Sequence, residues 1–257
     1  METPLPDVLE ESRRILGQAE QAGVTLRLVG GVAVRFVSPS STKDALRRTY
    51  RDADFVGKAS QTKELKGLFA DLGYAPRETF NAMQGGRRLI FNDMVNHRRV
   101  DIFQDYFEMC HRFDLRKRLS LRKETLPLAD LLETKLQVVQ TSDKDFRDIM
   151  ALLIDHELSP KEGQEVIDSK HVASLCAEDW GIYKTFTLTL GKLIDNLSAY
   201  PLEERDRSNA EARARALSGA IQDVPKSLRW KVRARVGEKV AWYEMPEADT
   251  AVVDSRF

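Results

Sequence analysis

The chain has 257 residues, enough for one large domain or two modest ones, with 42% apolar and 31% charged residues. Lys plus Arg and Asp plus Glu both number 40, so net charge argues for neither a nucleic-acid nor a membrane partner. No apolar run approaches the roughly 20 residues of a membrane helix, and the acidic start lacks the form of a secretion signal. Two cysteines, Cys110 and Cys176, exclude a disulfide framework. The expectation is a cytoplasmic globular protein.

In chain order, residues 7–22 place Val8, Leu9, Ser12, Ile15, Leu16 and Ala19 on one stripe before Gly23, which predicts an amphipathic helix. An apolar strand over 24–29 stops at Gly30-Gly31, and a helix runs from Gly31 to about Phe36. Ser38-Pro39-Ser40-Ser41 marks a loop, followed by Lys43, Arg47, Arg48 and Arg51 as a basic approach to the second strand, 51–56. Residues 62–72 predict a helix with Leu65, Leu68, Phe69 and Leu72 inward. From 80 to 103 the period shortens to two, predicting an antiparallel meander over 80–83, 88–91 and 99–103 with a turn at Gly85-Gly86.

Past Arg112 the chain is basic and irregular as far as Pro127, and this stretch separates an α/β half from a helical half. Helices are predicted over 128–140 and 144–158, from Ser159-Pro160 onward, twice within 170–198, over 203–221 and over 227–240. The last dozen residues carry little packing signal and are expected to fray.

The chemistry concentrates between residues 28 and 56. On a strand, Asp52 and Asp54 project from one face, and two adjacent carboxylates invite a divalent cation to relieve their repulsion. The glycine pair permits close backbone approach to a ligand and opens a helix whose N-terminal amides suit a phosphate. Asp101, set among Val100 and Ile102, is a third carboxylate in an apolar strand. A phosphate cradle beside an acidic metal site points to phosphoryl or nucleotidyl transfer.

Gly30-Gly31 after a strand, Asp52-x-Asp54 and a later lone Asp101 resemble the nucleotidyltransferase superfold of DNA polymerase β, kanamycin nucleotidyltransferase and the small MNT proteins. Further on, 131–137 (LLETKLQ) and 144–149 (KDFRDI) look like the lysine and [K/R]-D-x-x-D motifs of AbiEii-like proteins, nucleotidyltransferase toxins of bacterial toxin–antitoxin and phage-defence systems. The likeness spans residues 25 to about 153. It implies an α+β chain: a nucleotidyltransferase domain over 1–125, with a mixed or antiparallel sheet flanked by helices, then an all-helical part over 126–257 contributing to the active-site cleft. It also implies two Mg²⁺ ions on Asp52, Asp54 and Asp101, an NTP as substrate, and Lys135 and Asp145 as further catalytic residues. Nucleotide binding would fall to Gly30, Gly31, Arg48 and Asp148. The acceptor would be a hydroxyl, such as the 3′ end of tRNA, and a cognate antitoxin would be a partner. Where the family commonly writes R-x-S-x-D-x-D, this chain has Arg48 at the arginine place and Tyr50 for the serine.

Other readings stand beside this one. An inactive nucleotidyltransferase-like protein that binds nucleotide, RNA or a partner protein would carry the same motifs, and a drug-modifying enzyme would share the fold. The four histidines, at 97, 111, 156 and 171, show no ligand spacing with the cysteines, which speaks against zinc. Walker and G-x-S-x-G frames are absent. Trp180, Tyr183 and Phe186 at helical spacing suit a core better than a base-stacking platform. The basic set Arg112, Arg116, Lys117, Arg118, Arg122 and Lys123 suits a solvated face, or steers a polyanion to the site.

Overall fold

A computed structural model describes residues 3–84 and 86–245; Gly85, in the predicted turn, and the last dozen residues lie outside them. The N-terminal half comprises α1 (Val8–Gln21), β1 (Leu26–Val29), α2 (Gly30–Val37), β2 (Ala53–Gly57), α3 (Thr62–Asp71), β3 (Ala75–Pro76), α4 (Glu78–Met83), β4 (Arg88–Asp93), β5 (Arg98–Gln104), β6 (Tyr106–Glu108) and β7 (Arg112–Asp114). Then come α5 (Leu128–Leu136), α6 (Asp143–Asp155), β8 (Glu157–Ser159), β9 (Val166–Asp168), α7 (Ser169–Glu178), α8 (Trp180–Asn196), α9 (Glu204–Asp223) and α10 (Leu228–Val236). The chain is α+β, with helices dominating the C-terminal part. Among the described residues no helix is long and apolar enough to cross a membrane.

Five strands form one mixed sheet in the order β1-β2-β5-β4-β3. All neighbours are antiparallel except β2 and β5, which run parallel with Asp54 opposite Asp101. The parallel pair places consecutive stretches of chain on opposite sides of β2, and α3 supplies the return connection. Phe55, Phe69 and Phe91 are fully buried where α3 packs on the sheet, with Phe69 stacked 4.7 Å from Phe91. Along the outer edge of β1 residues 124–126 pair with Leu28, whose amide donates to the Glu124 carbonyl (2.8 Å). Pro127 then starts α5, which is thereby delivered beside the glycine turn, and α2 packs on both α5 and α6.

Beyond shifted element ends, the structure differs from the sequence expectation as follows. Residues 80–83 belong to the helix α4, not a strand. Asn81, 2% exposed, accepts from the Ile90 amide (2.7 Å) and donates to the Ile90 carbonyl (2.9 Å), doing for β4 what a longer β3 would otherwise do. No helix follows Ser159-Pro160; the residues after Pro160 carry no apolar stripe, and the buried Ile167 instead joins β8 and β9 as a small parallel ladder, so the C-terminal part is not purely helical. The loop 38–41 is mostly a 3₁₀ turn, Pro39–Thr42, and α10 stops at Gly237 (φ 59°), short of Val240.

Asn81→Ala leaves the buried Ile90 amide without its acceptor and the Ile90 carbonyl with the Arg77 amide as its remaining donor. A loss of about 1–3 kcal/mol is expected, read as a lowered urea midpoint with an unchanged slope.

Candidate active site at the glycine turn

Register sets the geometry. Val29 lies opposite Asp54 on β1, and Asp54 lies opposite Asp101 on β5, so glycine turn, first carboxylate and second carboxylate sit side by side on neighbouring strands about 4.8 Å apart. Gly30 has φ 73°, and a Cβ there would meet Asp54 Oδ2 at 2.5 Å. The turn needs glycine both for its backbone and for the approach of that carboxylate.

Asp54 accepts no hydrogen bond and joins no ion pair among the described residues, and it borders a cavity of about 500 Å³. Burial, then the charge of Asp101 and to a lesser degree Asp52, push its carboxyl up to about 6 against the pull of Lys135 and Arg88. Asp52 is exposed, just ahead of β2 rather than within it, and accepts from the Arg99 amide at 3.2 Å. Asp101 is 1% exposed and held between two guanidinium groups: Arg88 Nη2 lies 2.6 Å from Oδ1, and Arg99 Nε donates to Oδ2 at 2.6 Å. The three predicted carboxylates therefore sit together, but they differ in state: one exposed, one unpartnered, one fully paired.

A second group of predicted residues lies behind the glycine turn. Arg48 grips Asp148 through two bonds, Nε to Oδ1 (2.8 Å) and Nη2 to Oδ2 (2.7 Å). Lys135 Nζ is 2.8 Å from Asp148 Oδ2 and 3.6 Å from Asp145 Oδ1. Burial alone would lower both cations, yet the Asp148 carboxylate holds each above its ordinary value, so both stay charged. A Cβ on Gly31 would fall 1.7 Å from Arg48 Nη2; the second glycine makes room for this guanidinium. Tyr50, at the family's serine place, stacks its ring 4.2 Å beneath Arg48. Asp145 caps α6, accepting from the Ser142 hydroxyl at 2.6 Å and amide at 3.2 Å.

The loop carrying Arg48 is fixed by three further contacts. Ser40 donates its amide and hydroxyl to Asp155 (2.9 and 2.7 Å), Arg147 donates to the Ala45 carbonyl (2.8 Å), and Lys43 pairs with Asp206 on α9 (2.6 Å). The predicted basic approach is thus largely used up internally, since Lys43, Arg47 and Arg48 each face an acid of this chain. The same holds for Arg116 with Asp114 and Arg118 with Asp130. Trp180 and Phe186 are buried as expected, and Tyr183 packs against the core.

The cations that line the cavity with Asp54 are Arg87, Arg88, Arg99, Arg112 and Lys144. Sequence reasoning passed over the first three as ordinary strand and turn residues. The available signal was Arg99-x-Asp101: on a strand, alternate residues share a face, so the acid's partner was two positions away.

The raised Asp54 carboxyl makes a pH prediction. A carboxylate whose folded pKa exceeds its unfolded one favours the fold at low pH, and that contribution is lost as pH rises from about 4 through about 6. In chelator-treated protein Asp54→Asn should gain about 1–3 kcal/mol relative to wild type across that window, levelling above it. Urea midpoints of both proteins at several pH values read this; a constant gap would remove the raised Asp54 carboxyl.

The sequence matches no protein-family description and no curated protein. Among solved structures it is similar to the antibiotic-resistance factor ANT(2'')-Ia, a solution structure described as revealing substrate-regulated conformation dynamics, at 12% identity and a TM-score of 0.34, over 83% of this chain and 93% of that chain.

Proposed function

We propose that this protein is a Mg²⁺-dependent nucleotidyltransferase, moving a nucleoside monophosphate from an NTP to a hydroxyl acceptor with release of pyrophosphate. The observation that carries the reading is Asp54: an unpartnered carboxylate held against a glycine turn, in register with a second buried carboxylate, and open to a cavity lined by arginines. An acid left without a donor in such a place suits a metal ligand better than a structural group.

The donor set fits the ion. Asp52 and Asp54 would hold Mg²⁺; Arg88 donates both Nε (2.8 Å) and Nη2 (2.6 Å) to Asp101 Oδ1, so at Asp101 it is Oδ2, bonded by Arg99 Nε, that would have a lone pair left for a cation. When bound, the metal supplies neutralising charge at the triphosphate. The protein does the rest. The amides at the start of α2 meet phosphate oxygens, and Lys135 and Arg48, paired with Asp145 and Asp148, hold the turn from behind. Arg88 and Arg99 fix Asp101, and the acceptor oxygen bonds to the α-phosphorus as the bond to the β-phosphate breaks, pyrophosphate leaving and the hydroxyl proton passing to solvent.

Asp148 takes a different part from the nucleotide binding the resemblance implies, while Asp145 keeps the part of fixing Lys135. Asp148 is 2% exposed with both oxygens engaged, and Asp145 caps α6, so they position Lys135 and Arg48 rather than touch nucleotide. That Lys135–Asp145–Asp148 group supports the AbiEii-like version of the reading, with an anionic acceptor such as the tRNA 3′ end meeting the cavity cations, and an antitoxin as partner. The saturation of Asp101 by two arginines favours one second reading, a nucleotide-binding protein without turnover.

Incubation with Mg²⁺ and each NTP in the presence of total tRNA should release pyrophosphate, at least 100-fold less in Asp54→Asn. Equal release by the two proteins removes the transferase. Calorimetric NTP binding that ignores Mg²⁺, without turnover, selects the binding protein.

A further inference from the structure

A second polar cluster lies on the other side of α5 from Lys135. Asp130 and Glu133 are three residues apart and share one face of that helix, and Glu133 lies about 200° around the helix from Lys135. His171, in the first turn of α7, faces the pair. Its Nε2 is 3.5 Å from Glu133 Oε1 and 3.9 Å from Asp130 Oδ1, and one ligand atom from each of the three residues lies within 4.8 Å of the others. Asp130 and Glu133 are each 1% exposed, while a quarter of the His171 side chain reaches solvent.

Asp130 is well satisfied: Arg118 donates Nε to Oδ1 (2.9 Å) and Nη2 to Oδ2 (2.6 Å). Glu133 is not. Its Oε1, the atom aimed at His171, is buried and accepts no hydrogen bond among the described residues. A buried carboxylate oxygen without a donor is expensive, and native structures rarely leave one without reason. The local charge does not balance either. Arg118 is the cation of the cluster, and it is shared between Asp130 and Glu162 (2.7 Å), leaving Glu133 uncompensated.

We infer that Asp130, Glu133 and His171 form a site for one divalent transition-metal ion of the Zn²⁺ class, clamping α5 to α7. Two carboxylate oxygens and one imidazole nitrogen are a mixed hard and borderline donor set of the kind Zn²⁺, Co²⁺ and Mn²⁺ accept. Ligands about 2.1 Å from a tetrahedral ion stand about 3.4 Å apart, close to the 3.5 and 3.9 Å observed. Arg118 orients Asp130 as an outer partner orients a ligating carboxylate. The solvent-facing side of His171 leaves the fourth position to water. A neutral Glu133 would relieve the buried charge yet still leave Oε1 without a hydrogen bond, since the 3.5 Å to His171 Nε2 makes none. The site is independent of the transfer chemistry assigned to Asp54, and its helix-clamping role needs no substrate.

The probe is Co²⁺ alone, titrated into the full, chelator-treated and desalted chain. With saturating Mg²⁺ present to occupy the Asp54 site, visible d–d absorption should saturate at one equivalent of Co²⁺ and be displaced by Zn²⁺. Glu133→Gln, nearly isosteric, and His171→Ala should each weaken Co²⁺ binding roughly tenfold or more, while Asp54→Asn keeps the wild-type titration. Zn²⁺ should also raise the melting temperature of wild type and not of Glu133→Gln. Circular dichroism checks the fold of each variant, and Glu133→Gln decides alone if His171→Ala unfolds. Absence of stoichiometric absorption overturns the inference. So does an unchanged titration in Glu133→Gln, or one abolished by Asp54→Asn.

Discussion

Asp148 is one carboxylate answering two cations, and the architecture of the candidate site hangs on it. With 2% of its side chain exposed, it joins Arg48 from the loop before β2 to Lys135 from α5, itself standing on α6. Removing a partner from a buried ionic group of this kind typically costs 3–5 kcal/mol, because the remaining charges are left in a poor solvent. Here two cations would be stranded behind a turn that already lacks side chains. The consequence is positional: Arg48 presses on Gly31, so the ion group fixes the lie of the glycine turn from behind while Asp54 fixes it from the front.

Strand register supplies the other constraint. A slip of one residue between β2 and β5 would turn Asp54 to the opposite face of the sheet from Asp101. The apolar neighbours Ala53, Phe55 and Ile102, all buried, resist that slip. The cost of holding two carboxylates in neighbouring strands is met in part by Arg88 and Arg99, which neutralise Asp101. Asp54 has no such cation against it, and its carboxyl is pushed up first by burial and then by the Asp101 charge. Stability and chemistry pull against each other at this one side chain.

Much of this was legible beforehand because its signal is local. The helical period located α1, α3, α5, α6 and α9 to within a few residues at their starts and placed α7 and α8 together within 170–198, since each carries a stripe that must be buried. Asp52, Asp54 and Asp101 were legible as acids interrupting apolar strand text. What failed was non-local. Residues 80–83 have strand-like composition, yet Asn81 completes β4 from a helix, a bond that exists only once β4 is in place. The basic loop after Ser41 looked like a ligand-facing surface, but its partners Asp148 and Asp206 are about 100 and 163 residues away in sequence. The histidines were set aside because only cysteine and histidine spacing was weighed. The overlooked signal was the pair of acids in Leu128-Ala129-Asp130-Leu131-Leu132-Glu133, charged residues in a helix buried nearly all round.

That last feature explains why α5 matters more than its nine residues suggest. A helix buried on every side has no solvated face on which to place polar residues, so each one must be matched by a partner brought from another element. Lys135 is matched by α6 and Asp130 by Arg118 from the segment after β7, while Glu133 faces α7 without a hydrogen bond. Because these partners approach from different sides, α5 cannot rotate or slide without breaking one set to satisfy another. Its position is therefore determined twice over, from the glycine turn and from the helical part. A cation held at Glu133 would reach the placement of Lys135 through one rigid rod, with no contact to the nucleotide cleft required.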